Sequence, residues 1–315
     1  MGRGDGSPGY RPPERDPAEL LGKAVNYFVD QASQKLIDHI QRSFEQAADA
    51  REKLPFHNVE HTRSVMDRTV KIMTAMKEGG VAISPKDVAI AKLAASAHDV
   101  IQLWEVNVVG DKQMRKRLVG KNESLSIEQL QDVMKKQNKD KNFIIFSQAD
   151  LDTVREAIEA TVPGFDPSLN TVIQPNLNDE SRPATRAVAM ADLGEAGMNT
   201  EAYIRGGDAL FREENLDMLN LDSSKVDPDQ KEAFRLRMLG WSKFQAPFAR
   251  GRKAVFERDI APLPALAQEK LRALFSKFDE TIARVEAIGK RREAMSFEEL
   301  YLDMYGEGLE DVVAA

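Results

Sequence analysis

Apolar residues in this chain recur every three or four positions and nowhere alternate over a useful length, which points to a helical fold. Leu21, Val25, Phe28 and Val29 open the pattern, and Leu36, Ile37, Ile40 and Phe44 continue it. Val65, Thr69, Ile72, Met73 and Met76 mark one face of a second helix, which Gly79-Gly80 should end. Ser84-Pro85 reads as a cap followed by a first-turn proline. Two stretches, 88–97 and 184–194, are apolar and alanine-rich, so each predicts a helix buried on most sides. Further amphipathic helices are expected over 126–136, 150–161 and 264–288. Residues 163–183, with Pro, Asn and Gly, predict a long loop of the kind that often carries function.

At 315 residues the chain is long enough for a substantial core. Residues 1–16 are rich in Gly, Pro and Arg and predict a flexible tail. A helical domain is expected over 17–250, with a C-terminal helical extension over 251–315 packed on it. The excess of 51 acidic over 44 basic residues argues against general nucleic-acid binding, which needs a basic face. No run is long and apolar enough to span a membrane; the nearest, 88–97, is short and interrupted by Lys92. The N-terminal residues lack the apolar stretch of a signal peptide, so a cytoplasmic location is expected. The chain has no cysteine, which excludes disulfides, thiol catalysis and cysteine-held zinc.

Any metal must therefore be held by histidines and carboxylates. There are four histidines: His39, His57, His61 and His98. Three of them fall in two short motifs, Phe56-His57-Asn58-Val59-Glu60-His61 and Ala97-His98-Asp99. His57 and His61 are four apart, a spacing that shares a helix face, while Pro55 favours a helix entrance near His57. Adjacent residues on a helix point about 100° apart, so His98 and Asp99 can serve one ion only at a helix end, or by bridging. Asp192, at the end of the second alanine-rich helix, is a charge that needs a partner when buried. Imidazole and carboxylate donors suit Mn, Fe, Co, Ni, Zn or Mg. His39, in KLIDHIQRSF, reads as an ordinary helix residue.

The order His61, His98-Asp99, Asp192 resembles the H…HD…D signature of the HD-domain superfamily. FHNVEH resembles the HNxxH motif of cyclic-nucleotide phosphodiesterases and related bacterial hydrolases. LAASAHD and AVAMADLG resemble the helices that carry their HD pair and last metal-binding Asp, and Asn122-Glu123-Ser124 their short acidic motif. The resemblance covers roughly residues 50–200. It implies an all-α, HD-type helical bundle with additional N- and C-terminal helices.

For function it implies a phosphohydrolase using one or two divalent ions per chain, bound by His61, His98, Asp99 and Asp192. Asp99 would bridge to a second ion, a metal-activated water would attack phosphorus, His57 would protonate the leaving oxygen, and Glu123 would orient a ligand or water. The expected partner is a small phosphorylated, nucleotide-like substrate; a homo-oligomer is left open. Gln245, Arg250 and Arg252 in WSKFQAPFARGR are candidates for base or phosphate contacts. One departure stands out: Val100-Ile101-Gln102 follows the HD pair, and no histidine occurs after His98. That disfavours an HD-type di-iron oxygenase and gives weight to a rival, a degenerate module that binds metal and nucleotide without turnover.

Overall fold

The computed structural model describes residues 17–306 apart from 110–111 and 142–143, with the side chains of 17–24 and 141 outside that description. The expected tail, 1–16, and positions 307–315 lie outside the described residues. The rest is mostly helical.

At the centre stands α3 (Pro85–Ala97). Ser84 and Asp87 form a reciprocal capping box at its start, which satisfies two backbone donors that a helix end leaves free. From Ala89 onward nearly every residue is buried, and its small side chains let neighbouring helices approach closely. Around it pack α1 (Pro17–Ile40), α2 (Val59–Glu78), α5 (Gln148–Glu159) and α6 (Pro183–Asp192). The face expected of α2, from Val65 to Met76, is wholly buried, and Gly79 caps that helix. In α6 every residue from Ala184 to Ala191 is buried. These helices share one apolar core.

The long helix α9 (Pro228–Ile260) carries Pro247 inside it and runs unbroken through the expected boundary at 250–251. Two groups of helices pack against it. On one side lies α11 (Phe278–Glu293), preceded by α10 (Ala265–Leu274), so residues 264–288 form two helices where one was expected. On the other, α8 (Thr200–Glu214) and α12 (Phe297–Tyr305) join α9 around a second cluster that includes Phe211, Met218, Phe234, Met238, Phe297 and Leu300.

Two hairpins correct the strand-free expectation. The first pairs β1 (Trp104–Val109) with β2 (Lys112–Arg117), antiparallel, Trp104 opposite Arg117. Five of the six β1 residues are exposed, and only Arg115 is buried in β2. Trp104, Val106 and Val108 alternate with Glu105 and Asn107, but the run is short and its partner strand KQMRKR is almost wholly polar, so the pattern fell below a useful length. The guanidinium of Arg115 lies 4.5 Å over the Trp104 ring and donates to the carbonyls of Arg51 and Lys53, which ties the hairpin to the body. The second hairpin, β3 (Gly164–Asp166) with β4 (Thr171–Ile173), falls inside the expected loop. It rests on α9, where the Arg252 guanidinium donates to the Val172 carbonyl at 2.7 Å. No helix among the described residues is long and apolar enough to cross a membrane.

Candidate metal centre

Three helices deliver four side chains to one point. Asn58 caps α2: its side chain accepts from the His61 amide at 2.9 Å and donates to the Pro55 carbonyl. That cap places His57 just outside the helix and His61 in its first turn. His98 is the residue that ends α3, and Asp99 follows in the turn. The helix end thus lets two adjacent side chains converge. Asp192 is the last residue of α6.

His98 Nε2 lies 3.0 Å from Asp99 Oδ2 and 3.5 Å from Asp192 Oδ1; His61 Nε2 lies 3.5 and 3.8 Å from the same two oxygens. One ligand atom from each of the four residues can be chosen so that all lie within 4.8 Å of one another. Donors held about 2.0–2.2 Å from an ion stand roughly 3–4 Å apart, so the spacing fits. His98 Nδ1 donates to the Ala95 carbonyl at 2.8 Å, which leaves Nε2 as the lone-pair nitrogen facing the carboxylates. Both His61 Nε2 and His98 Nε2 are buried without any hydrogen-bond partner. Two orphaned imidazole nitrogens facing two carboxylates are what a cation's ligands look like from the protein side.

The electrostatics agree. Burial alone would lower the His98 pKa, but Asp99 and Asp192 outweigh it and raise it well above the ordinary histidine value. Burial would raise Asp99, yet His98, His57 and His61 hold it well below the usual carboxylate range, and Asp192 is lowered in the same way by His98. The two carboxylates thus demand positive charge: a proton on His98, or a divalent ion that displaces it.

His57 stands beside the cluster rather than in it, its Nε2 3.9 Å from Asp99 Oδ2. Its Nδ1 is 2.5 Å from Glu213 Oε1, while Glu213 Oε2 accepts from the Phe56 and His57 amides. Burial would raise the Glu213 carboxyl, but His57 and these amides keep it low, so it is an acceptor and the shared proton sits on Nδ1. His57 Nε2 is then the nitrogen free to carry a proton toward the centre.

Glu123 is buried at the start of α4 (Lys121–Lys141). Its Oε2 accepts from the Gly120 amide at 2.6 Å, with Gly120 at φ 80°, a left-handed conformation glycine adopts without strain. Its Oε1 lies 3.8 Å from Arg117 Nη2, and that same nitrogen reaches Asp99 Oδ1 at 3.1 Å. Glu123 therefore touches Asp99 only through Arg117.

Arg250 pairs with Glu286 at the surface, and Arg252 is buried against Val172, burial pushing its pKa down to about 10. Gln245 lies on α9, its carbonyl accepting from the Tyr203 hydroxyl. No hydrogen bond or ion pair joins any of the three to the candidate metal ligands among the described residues. His39 is half-buried on α1, away from the cluster.

The sequence reading missed four residues that touch the site: Gln102, Arg117, Gln174 and Glu213. Gln102 donates to Asp99 Oδ1 at 2.7 Å, and its place three residues after Asp99 was a legible clue. Gln174 donates to the Ala189 carbonyl and lies 3.5 Å from Asp192 Oδ2. Glu213 is 156 positions from His57, and no local signal marks it. No protein-family model, curated protein or solved structure matches this chain.

Proposed function

We propose that this chain is a metal-dependent phosphohydrolase acting on a phosphomonoester or phosphodiester, in a nucleotide or a related small metabolite. One observation carries the reading. Two buried imidazole nitrogens without partners face two carboxylates, and a third histidine stands beside them with one nitrogen pinned by a carboxylate. The first group fits a divalent cation, Mn, Fe, Co, Ni, Zn or Mg. When bound, such an ion neutralises phosphoryl charge and makes water a better nucleophile at neutral pH. His61, His98, Asp99 and Asp192 hold it. A purely structural cation site has no use for the second group. His57, its Nδ1 held by Glu213, presents Nε2 to donate a proton to the departing oxygen, a contribution of about 10²–10⁴ in rate.

The test is elemental analysis of tag-free protein with the His98→Ala and Asp192→Ala variants, followed by phosphate-ester assays in the metal found. Bound metal that is lost in both variants, together with ester hydrolysis that falls at least about 100-fold in His57→Ala at unchanged metal content, is the expected result. Wild-type protein that takes up no divalent ion, Mg included, sinks the reading. The centre is deeply buried, with His98 at 2 % and Asp99 at 7 % exposure, and that narrow access favours a second reading: a module that holds metal and nucleotide without turnover. Tight nucleotide binding with no hydrolysis selects it.

A further inference from the structure

Asp99 has two oxygens, and they face different company. Oδ2 looks toward His61, His98 and His57. Oδ1 accepts from Gln102 Nε2 at 2.7 Å and from Arg117 Nη2 at 3.1 Å. For this carboxylate to bridge two ions, Oδ1 would have to face the second. Its lone pairs are already directed at an amide and a guanidinium.

The nearby carboxylates offer no replacement. Both oxygens of Glu213 are committed to His57 and two backbone amides, and Glu123 Oε2 is committed to the Gly120 amide. Among the described residues, His61, His98, Asp99 and Asp192 are the one group able to hold an ion.

The unexpected hairpin explains how Arg117 arrives there. β1 starts five residues after Asp99, and β2 ends on Arg117, opposite Trp104. The Leu118 amide then closes on the Leu103 carbonyl, and Asn122 clamps Leu103 through both its amide and its carbonyl. The excursion leaves α3 and returns to it, laying a guanidinium along Asp99.

That guanidinium is not spent on its carboxylates. Nη2 makes both contacts, to Asp99 and Glu123, while Nε is buried with no hydrogen-bond partner. The Arg117 side chain is 21 % exposed, against 9 % for Asp99 and 1 % for His98, so it is the most open of these groups. A positive, forked donor with spare capacity at the open side of a cation site suits a phosphoryl oxygen.

We infer that this centre is built for one ion per chain, and that Arg117 supplies the positive charge where a second ion would sit, receiving a phosphoryl oxygen of the substrate. The inference rests on the phosphohydrolase reading above. In it Gln102 and Glu123 are positioning residues: one shares Asp99 Oδ1 with Arg117, and the other holds the guanidinium from behind.

The experiment counts ions and then measures inorganic phosphate. Wild-type protein saturated with Mn(II) is analysed for metal content and by electron paramagnetic resonance. One ion per chain with an uncoupled spectrum is expected. Two ions per chain with an exchange-coupled spectrum overturn the inference and leave the phosphohydrolase reading standing; no ion in any metal overturns both. Phosphate affinity of the one-ion protein is then measured by calorimetry. Arg117→Gln is expected to weaken phosphate roughly tenfold or more at unchanged ion content, and Arg117→Lys to restore part of the loss. Arg115→Gln, on the same strand but bonded to the Arg51 and Lys53 carbonyls, is expected to bind phosphate as the wild type does. Equal phosphate affinity in wild type and a folded Arg117→Gln, checked by thermal melting, overturns the role given to Arg117. If Arg117→Gln does not fold, Arg117→Met, which keeps the length of the side chain without its charge, carries the same comparison.

Discussion

Arg292 joins four helices, and replacing it should be the costliest single change outside the candidate metal centre. The residue lies on α11 at 3 % exposure. Its guanidinium donates to both oxygens of Asp208 on α8, at 2.9 and 2.6 Å, to Ser242 on α9 at 3.1 Å, and to Asp303 on α12 at 2.8 Å. Asp208 is also buried, at 3 %. Arg292→Met keeps the length of the side chain and removes the charge, leaving Asp208 ionised in the interior with no partner. Breaking such a pair from one side costs about 3–5 kcal/mol. For a chain of this size that corresponds to a Tm lower by about 5–8 °C. Urea unfolding followed by circular dichroism gives the free energy directly. Adding Asp208→Asn to Arg292→Met removes the stranded charge and should recover about half of the loss. The exposed pair Lys243–Glu293 is the comparison, since Lys243→Met should cost less than about 1 kcal/mol. A loss below about 1 kcal/mol for Arg292→Met, or no recovery in the double variant, would refute the argument from desolvation.

Two further outcomes follow from the packing. Glu214, half-buried beside Glu213, has its pKa raised from 4.5 to about 7 by burial first and by the Glu213 charge second. Between those values the unfolded chain has lost the proton and the folded chain keeps it, so stability falls as pH rises through that window. The full displacement is worth about 3 kcal/mol, and solvent screening reduces it to about 1–2. Glu214→Gln should therefore be more stable than wild type by about 1–2 kcal/mol near pH 8 and equal to it near pH 4. Denaturant titrations at the two pH values decide this, and a difference independent of pH contradicts it. Gly251 on α9 lies under the β3–β4 turn, where an added Cβ would come within 2.5 Å of the Leu169 carbonyl oxygen and of Thr171. Gly251→Ala should cost about 1–3 kcal/mol. Gly240→Ala on the same helix meets nothing within 4 Å and should be neutral or slightly stabilising in the same thermal melts.

The helices were largely legible because each one carries its own signals. The Ser84-Pro85 start, the Gly79 stop and the buried face from Val65 to Met76 are all set by residues within a few positions of one another. Boundaries blurred where the signal was polar. The helix expected over 126–136 extends as α4 from Lys121 to Lys141, since the turns added at both ends are largely polar and carry no apolar period. Both hairpins escaped because their strands are short, although the run Trp104, Val106, Val108 and Val109 held a β-type composition that could have flagged the first.

The chain's own order of residues narrowed the candidate donors: with no cysteine and four histidines, three of them, His57, His61 and His98, fell in two short motifs that also hold Glu60 and Asp99. It also placed His98-Asp99 and Asp192 at the ends of alanine-rich helices, where buried charge demands a partner. Tertiary structure alone decided that these ends meet, that Glu213 pins His57, and that Arg117 reaches the far oxygen of Asp99. The physical reason is range. Caps and helix faces depend on neighbours three or four positions away. The contacts of Glu213 and Arg117 depend on how distant segments close on one another, and no local pattern of residue types encodes that distance.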